Sequence, residues 1–226
     1  MDRCYFFRSG ISISNANPNI NECLFYKDGI TVTRESNPHI VNCTSEEEST
    51  IGFHEGSNGI VRRCIGFRVG VMSYLQDVET EPYIEYCQLN LISINGPTSA
   101  PTIKNCRINS DTDGIILADS SKPVIINNTI TANTALKFNR YGTPRETVSF
   151  RNNIIAFCNN GYKAERDCGP YSANYLGIDY NILWQIAEPR IRIESLGEHD
   201  RIINPVFRGG YPFDCHLLIG ADNSCI

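Results

Sequence analysis

Alanine and methionine are scarce in this chain of 226 residues, which has only 10 Ala and 2 Met. So few of these helix-favouring residues argue against a helical bundle. No apolar run approaches the roughly 20 residues of a membrane helix, so we expect no membrane span. No basic cluster accompanies the net charge of −5, and we therefore expect no nucleic-acid partner. The first residues do not have the pattern of a secretory signal peptide.

Isoleucine and asparagine are abundant instead, with 29 Ile and 23 Asn, which favour strands and turns respectively. One unit recurs along the chain: Pro-x-Ile-x-Asn-Cys, followed a few residues later by Gly-Ile-x-Val. Its cysteine position, here called the slot, recurs every 19 to 25 residues and predicts a stacked solenoid. The slot is occupied in turn by Cys4, Cys23, Cys43, Cys64, Cys87, Cys106, Asn128 and Asn153.

The spacing within the unit predicts a bend. The residue three positions before the slot is apolar, as at Ile40, and a continuous strand would point it away from the slot side chain. A bend between the two lets both face inward. Asparagine often precedes the slot, and it tolerates the left-handed conformation that such a bend needs. We therefore predict a parallel β-solenoid with about three short strands per coil. The asparagines before the slot are Asn42, Asn105, Asn127 and Asn152.

These units resemble the parallel β-helix repeats of the right-handed, pectate-lyase-like superfamily over residues 1 to about 165. The segments 178–184, 203–207 and 214–218 are similar to the C-terminal end of secreted bacterial or archaeal β-helix proteins, although Asn204 replaces an aspartate typical of that pattern. The resemblance implies an all-β, right-handed, single-stranded parallel β-helix of about 8–9 coils. Residues 1–165 would form the coils, and residues 166–226 the last coil and an irregular C-terminal capping segment of the same domain.

The repeat begins at residue 1, where an open first coil would expose unpaired strand edges. We therefore expect the chain to be a fragment of a longer secreted protein, located outside the cell or on its surface. The first coil would then contact a missing N-terminal cap or a neighbouring protein.

The ten cysteines divide into two groups. Six belong to the slot, where stacked side chains run parallel and no Cys-x-x-Cys pair exists, so we predict buried free thiols rather than disulfides or a zinc site. The asparagines that succeed them predict an amide ladder. Four cysteines lie off the column, and both disulfide pairs such as Cys158–Cys168 or Cys215–Cys225 and free thiols stay open for them. They are Cys158, Cys168, Cys215 and Cys225.

Enzymes of the superfamily act on polysaccharides, but the motifs of the polygalacturonases and pectate lyases are absent here. A basic constellation remains, in which Lys137 and Lys163 occupy matching outward positions on consecutive coils. Cleavage or epimerisation of a uronate needs a base and cations, so Lys137, Lys163 and Arg166 are candidate catalytic residues. An ordinary solvated charged surface is the alternative. The candidate substrate-binding residues are Arg140, Tyr141, Arg145, Glu165 and Tyr74.

An acidic constellation consists of Asp111, Asp113 and Asp119, in a loop and the strand after it. Oxygen-rich loops hold Ca²⁺, which makes these residues a candidate calcium site, with solvated turns as the alternative. No other cofactor is expected. Tyr74 and Tyr141 are aromatic residues expected on outward strand faces, where they would stack on sugar rings.

Two functions compete at this point. One is an extracellular carbohydrate-associated protein that binds, and as a lyase or epimerase processes, an acidic polysaccharide. The other is a non-catalytic structural or adhesion scaffold on a cell surface or in a larger assembly. The fold alone does not decide between them, and whether the protein is an enzyme stays open.

Overall fold

Each repeat unit forms one coil of short β-strands, and every strand pairs in parallel with the equivalent strand of the next coil. The computed structural model describes residues 1–75, 78–139, 148–165 and 176–205. Within these ranges 25 strands form about eight coils of a parallel β-solenoid, and there is no helix. The all-β solenoid expected from the repeat is confirmed. No helix in these ranges is long and apolar enough to cross a membrane.

The coils have three faces. Face A is an eight-stranded sheet, made of β3 (Asn19–Asn21), β6 (His39–Val41), β9 (Ile60–Arg62), β11 (Tyr83–Glu85), β13 (Thr102–Lys104), β16 (Val124–Ile126), β19 (Ser149–Arg151) and β22 (Ile178–Asp179). Faces B and C form one 17-stranded sheet, because two long strands run through both faces. These strands are β10 (Ile65–Met72) and β12 (Gln88–Asn95).

The remaining strands of face B follow the slot directly. They are β1 (Tyr5–Phe7), β4 (Leu24–Tyr26), β7 (Thr44–Glu46), β14 (Arg107–Asn109), β17 (Thr129–Thr131), β20 (Ile154–Ala156), β23 (Ile182–Trp184) and β25 (Arg201–Ile202). Face C holds the longer second half of each unit. Its strands are β2 (Ile11–Ser14), β5 (Gly29–Thr33), β8 (Thr50–His54), β15 (Asp113–Ala118), β18 (Thr134–Phe138), β21 (Asn160–Ala164) and β24 (Glu188–Ile191).

The core consists of side chains stacked in columns, one from each coil. The residue three positions before the slot is fully buried on face A from the second coil onward, whereas Met1 in the first coil is exposed. In the fourth coil Gly66 adopts a φ of 84°, and a bulge turns Phe67 inward to fill the core position on face B. The buried face A column is Ile20, Ile40, Val61, Ile84, Ile103, Ile125, Phe150 and Ile178.

The bend before the slot has the predicted left-handed conformation. Asn42 and Asn105 have φ values of 55° and 53°, and Asn127 and Asn152 have values of 57° and 56°. The same position in other coils is left-handed without an asparagine, for example at Tyr86, with a φ of 55°. The bend is therefore imposed by the coil as a whole, and asparagine is the residue that adopts it at lowest cost.

The slot side chains form one continuous inward column, as predicted. In the cysteine part, the backbone N–H of Cys64 donates to Sγ of Cys87 over 3.4 Å. The change to asparagine is a mixed rung, in which the N–H of Cys106 donates to Oδ1 of Asn128 over 2.9 Å. The amide ladder then continues from Asn128 to Asn153, whose Oδ1 accepts from both N and Nδ2 of Asn128 at 3.0 Å.

The ladder ends on a buried carboxylate. Asn153 donates to Asn181, and Asn181 donates to Oδ1 of Asp200. Oδ2 of Asp200 accepts hydrogen bonds from the hydroxyl of Tyr162 and the N–H of Gly197, both at 3.0 Å. The described part of the irregular C-terminal segment thus packs against the last coil through a residue that takes the place of the next rung.

Candidate functional site

A groove crosses the first three coils on face C. The outward residues Ser12, Thr31 and Gly52 lie beside one another in register on β2, β5 and β8. All three are small, and they leave a groove of about 570 Å³ along the solenoid axis, here called the face C groove. It is lined by Gly10, Ile11, Ser12, Lys27, Asp28, Gly29, Ile30, Thr31, Glu48, Thr50, Gly52 and His54.

Neighbouring atoms approach two glycines of this groove closely, and at Gly29 glycine is required because the nearby atom belongs to the backbone. A Cβ atom on Gly29 would lie 2.2 Å from the carbonyl oxygen of Thr50, which belongs to the next coil. A Cβ atom on Gly52 would lie 2.9 Å from Nε2 of His54, so the imidazole lies beside the glycine on the groove floor. The groove thus combines exposed backbone, hydroxyl groups and an imidazole.

Two charged residues that line the groove already have ionic partners. Nζ of Lys27 lies 2.7 Å from Oε2 of Glu47, and this hydrogen bond raises the pKa of Lys27. Oε1 of Glu48 lies 2.9 Å from Nη2 of Arg68 in the next coil. Their charges therefore largely cancel at the groove wall.

Asp28 differs from both. Its backbone N–H donates to Oγ of Ser49 over 3.2 Å, but its side-chain Oδ2 is shielded from solvent and receives no hydrogen bond from any residue in the described ranges. No ion pair with Asp28 is found in those ranges either. A carboxylate oxygen in this state is costly, because desolvation of a charged group is repaid only by a donor or a cation. Asp28 is thus the groove residue whose side chain has an oxygen, Oδ2, without a hydrogen-bond donor in the described ranges.

Exposed aromatic rings lie on face B of the first two coils, which the groove crosses on face C. Phe7 and Tyr26 stack with centroids 5.0 Å apart, and Tyr5 tilts against Phe7 at 6.4 Å. Phe7 is 54% exposed, and Tyr26 directly precedes Lys27 at the groove wall. Arg8 and Lys27 lie over Phe7 and Tyr26, each cation 5.4 Å from the ring centroid, so this end of the protein has an aromatic surface partly covered by cations.

The predicted basic constellation lies farther along face C. Lys137 and Lys163 pair in register on β18 and β21, as expected. Nζ of Lys137 lies 3.1 Å from Oδ2 of Asp113 and 3.3 Å from Oε1 of Glu165. Burial alone lowers the pKa of Lys137, but the hydrogen bonds to these two carboxylates outweigh it and the pKa is raised. Lys137 is therefore held as a cation, which suits charge neutralisation rather than proton abstraction.

The family is shown by a sequence comparison. A family model described as a right handed beta helix region matches residues 90–204, which is 115 of the 226 residues. The chain belongs to the right-handed β-helix family. The β-helix has no match among curated proteins or solved structures. The groove lies in the coils before the matched segment, which continue the same strand register.

Several predicted site residues of this β-helix lie outside the described residues. They are Arg140, Tyr141, Arg145 and Arg166. The roles assigned to them, and to Lys163 and Glu165, stay predictions. Of the predicted basic constellation and its neighbours, the structure describes Lys137, Lys163 and Glu165, and these three lie on one stretch of face C.

The three aspartates of the predicted calcium site have different surroundings. Asp113 pairs with Lys137, and Oδ2 of Asp119 accepts a hydrogen bond of 2.8 Å from the hydroxyl of Tyr74. Asp111 is exposed in the loop before β15. The described ranges contain no group of three or more His, Cys, Asp or Glu side chains placed to hold a metal ion. Tyr74 itself lies in the loop after β10 and not on a strand face, because β10 ends at Met72.

The cysteines in the described ranges are all free thiols. Cys158, which the repeat leaves off the slot column, makes contacts of the same kind at a second bend: its Sγ accepts from the N–H of Ala132 over 3.3 Å. The preceding residue, Phe157, has a φ of 55°, like the residue before the slot. Burial raises the pKa of Cys158 to about 11. Its proposed partner Cys168 lies outside the described residues, as do Cys215 and Cys225.

The face C groove was not found from the sequence. The signal for it is weak: small residues occupy the same outward position of five consecutive units, at Ser12, Thr31, Gly52, Gly70 and Ser93, and only the first three line the groove. Asp28 and Lys27 fall in the turn between faces B and C, where charged residues are ordinarily solvated. Only the register of the coils shows that these residues share one cavity.

Proposed function

We propose that this right-handed β-helix binds a carbohydrate chain in the face C groove. The observation that carries the proposal is the groove of about 570 Å³ that runs across three coils and is lined by hydroxyl, carboxylate and imidazole groups. Three coils at a strand spacing of about 4.8 Å span roughly 10 Å, which is about the length of a disaccharide. A linear chain of sugars matches both the direction and the polarity of such a groove.

The neighbouring aromatic rings support the same ligand class. Sugar rings have apolar faces as well as hydroxyl edges, and aromatic side chains provide surfaces on which they stack. Phe7 and Tyr5 are more than half exposed on β1, in the first coil that the groove crosses. The groove would receive the polar edges of the ligand, and the rings would cover an apolar face of a sugar that extends beyond it.

The proposed activity is binding, and its proposed place is outside the cell or on its surface. The place rests on the resemblance of the repeat and the C-terminal motifs to secreted β-helix proteins. Cleavage or epimerisation of an acidic polysaccharide at Lys137 and Lys163 is a separate hypothesis. A ligand in the face C groove would not reach those residues, which lie several coils away.

The test is a glycan array followed by calorimetric titration of the carbohydrates that bind. Thr31→Phe would fill the groove with a ring, and we expect it to weaken binding by about tenfold or more, equivalent to about 1.4 kcal/mol. Ser93→Phe is the matched control, since Ser93 occupies the same outward column two coils beyond Gly52. Absence of binding to every carbohydrate, with the protein folded, would reject the proposal and favour the scaffold function.

A further inference from the structure

We infer that the ligand of the face C groove is an amino sugar whose protonated amine binds the carboxylate of Asp28. This inference rests on the proposed function, because it names the class of carbohydrate that the groove takes. One charged group of the groove, the Asp28 carboxylate, lacks an ionic partner within the described part of the chain. Lys27 pairs with Glu47 and Glu48 pairs with Arg68, whereas the Asp28 carboxylate has no ionic partner in the described ranges.

An acidic polysaccharide fits this groove poorly. Its carboxylates would meet an uncompensated negative charge at Asp28, and the cation closest in sequence, Lys27, is already engaged by Glu47. Like charges in a confined site repel each other and reduce affinity. The groove therefore selects against uronates.

A metal ion also fits poorly. Calcium takes six to eight oxygen ligands, and the described ranges hold no group of three or more His, Cys, Asp or Glu side chains that could supply them. An ammonium group needs fewer partners, because it has three donors and no requirement for a fixed geometry. One carboxylate and two neighbouring hydroxyl groups satisfy it.

The groove offers that combination. Asp28 lies in the same cavity as the hydroxyl-bearing residues Ser12, Thr31 and Thr50. An amino sugar carries an amine and several hydroxyl groups on one ring, so the amine would bind Asp28 while the hydroxyls bind the serine and threonine side chains. The bound amine would supply the hydrogen bond that Oδ2 of Asp28 now lacks, after a rotation of the carboxylate.

Three oligosaccharides that differ only at one ring carbon test the inference. They are a glucosamine tetramer, its N-acetylated form and the glucose tetramer with the same linkage, titrated at a mildly acidic pH at which the free amine is protonated. We expect the glucosamine tetramer to bind about tenfold more tightly than the other two, as a charge-assisted hydrogen bond contributes. Added salt should weaken that preference and leave the binding of the glucose tetramer unchanged.

Asp28→Asn keeps the shape of the side chain and removes its charge. We expect it to reduce the affinity for the glucosamine tetramer to that for the glucose tetramer. Asp111→Asn is the matched control, because it makes the same chemical change at an exposed aspartate outside the groove lining. It should retain the preference.

The possible results separate the inference from the proposed function. Equal binding of the three tetramers to the wild-type protein, or a preference insensitive to salt, would overturn the inference and leave carbohydrate binding intact. Failure of all three to bind, with no ligand on the array, would reject both. If Asp28→Asn does not fold, the comparison of the three ligands on the wild-type protein decides the question.

Discussion

Asn181 donates two hydrogen bonds to one oxygen of Asp200, from its backbone N–H over 2.8 Å and from its side-chain Nδ2 over 3.1 Å. Oδ1 of Asp200 thereby takes the position that the next asparagine would occupy in a longer ladder. The other oxygen is held by Tyr162 and Gly197. A residue of the irregular segment thus closes the regular part of the β-helix.

Asp200→Asn should destabilise the protein by about 1–2 kcal/mol, because an amide nitrogen would face the N–H of Gly197 where a carboxylate oxygen now accepts its hydrogen bond. The measurement is denaturant unfolding followed by circular dichroism. Asp111→Asn makes the same chemical change at an exposed position and should leave the free energy of unfolding unchanged. An Asp200→Asn protein as stable as the wild type would show that the carboxylate is not needed at the end of the ladder.

Tyr86→Asn should stabilise the protein by about 0.5–1 kcal/mol. Tyr86 has a left-handed backbone conformation, which costs a residue with a large side chain more than it costs asparagine. Its side chain is 55% exposed, so little buried surface is lost. Thermal unfolding measures the effect. Tyr5→Asn, at a similarly exposed tyrosine within strand β1, should give no gain, and a gain of equal size there would contradict the conformational explanation.

Thiol titration of the denatured, unreduced protein should find at least seven free thiols, since the seven cysteines in the described ranges are unbridged. In the native protein, Cys4 should react first among these seven, because it is partly exposed and the other six are buried. Alkylation followed by peptide mass spectrometry identifies the reactive residue. Fewer than seven thiols in the denatured protein would mean that at least one of these cysteines is oxidised.

Lys137→Met should cost about 1 kcal/mol of stability, because it leaves Asp113 and Glu165 without their shared cation on a partly exposed surface. Lys163→Met serves as the comparison at the neighbouring position of the same column and should cost less.

Both variants should also be assayed for formation of unsaturated products from alginate and pectate. Activity in the wild type that is lost specifically in Lys163→Met would support the predicted catalytic constellation.

The coils of this structure were predictable because each coil has to turn the same two positions of the repeat unit into the core. The parity argument for Ile40 and Cys43 holds in every coil from the second onward, since both side chains must face inward. The left-handed asparagines followed from the same argument. The register of Lys137 and Lys163 followed from the unit length.

What was not predictable depends on departures from the repeat. The bulge at Gly66 moves Phe67 into the core, and no feature of one unit alone predicts this shift. Asp200 ends the ladder from a segment without a repeat, so its partner could not be assigned by alignment. The face C groove forms because several consecutive units carry small residues at one outward position. It arises only when the coils stack and bring these positions together.

The mixed rung between Cys106 and Asn128 has an evolutionary consequence. A thiol and an amide both accept the N–H of the coil before them, so either residue satisfies the same neighbour. We therefore expect that a single substitution at Asn128 or Cys106 can move the boundary between the cysteine part and the amide ladder by one coil.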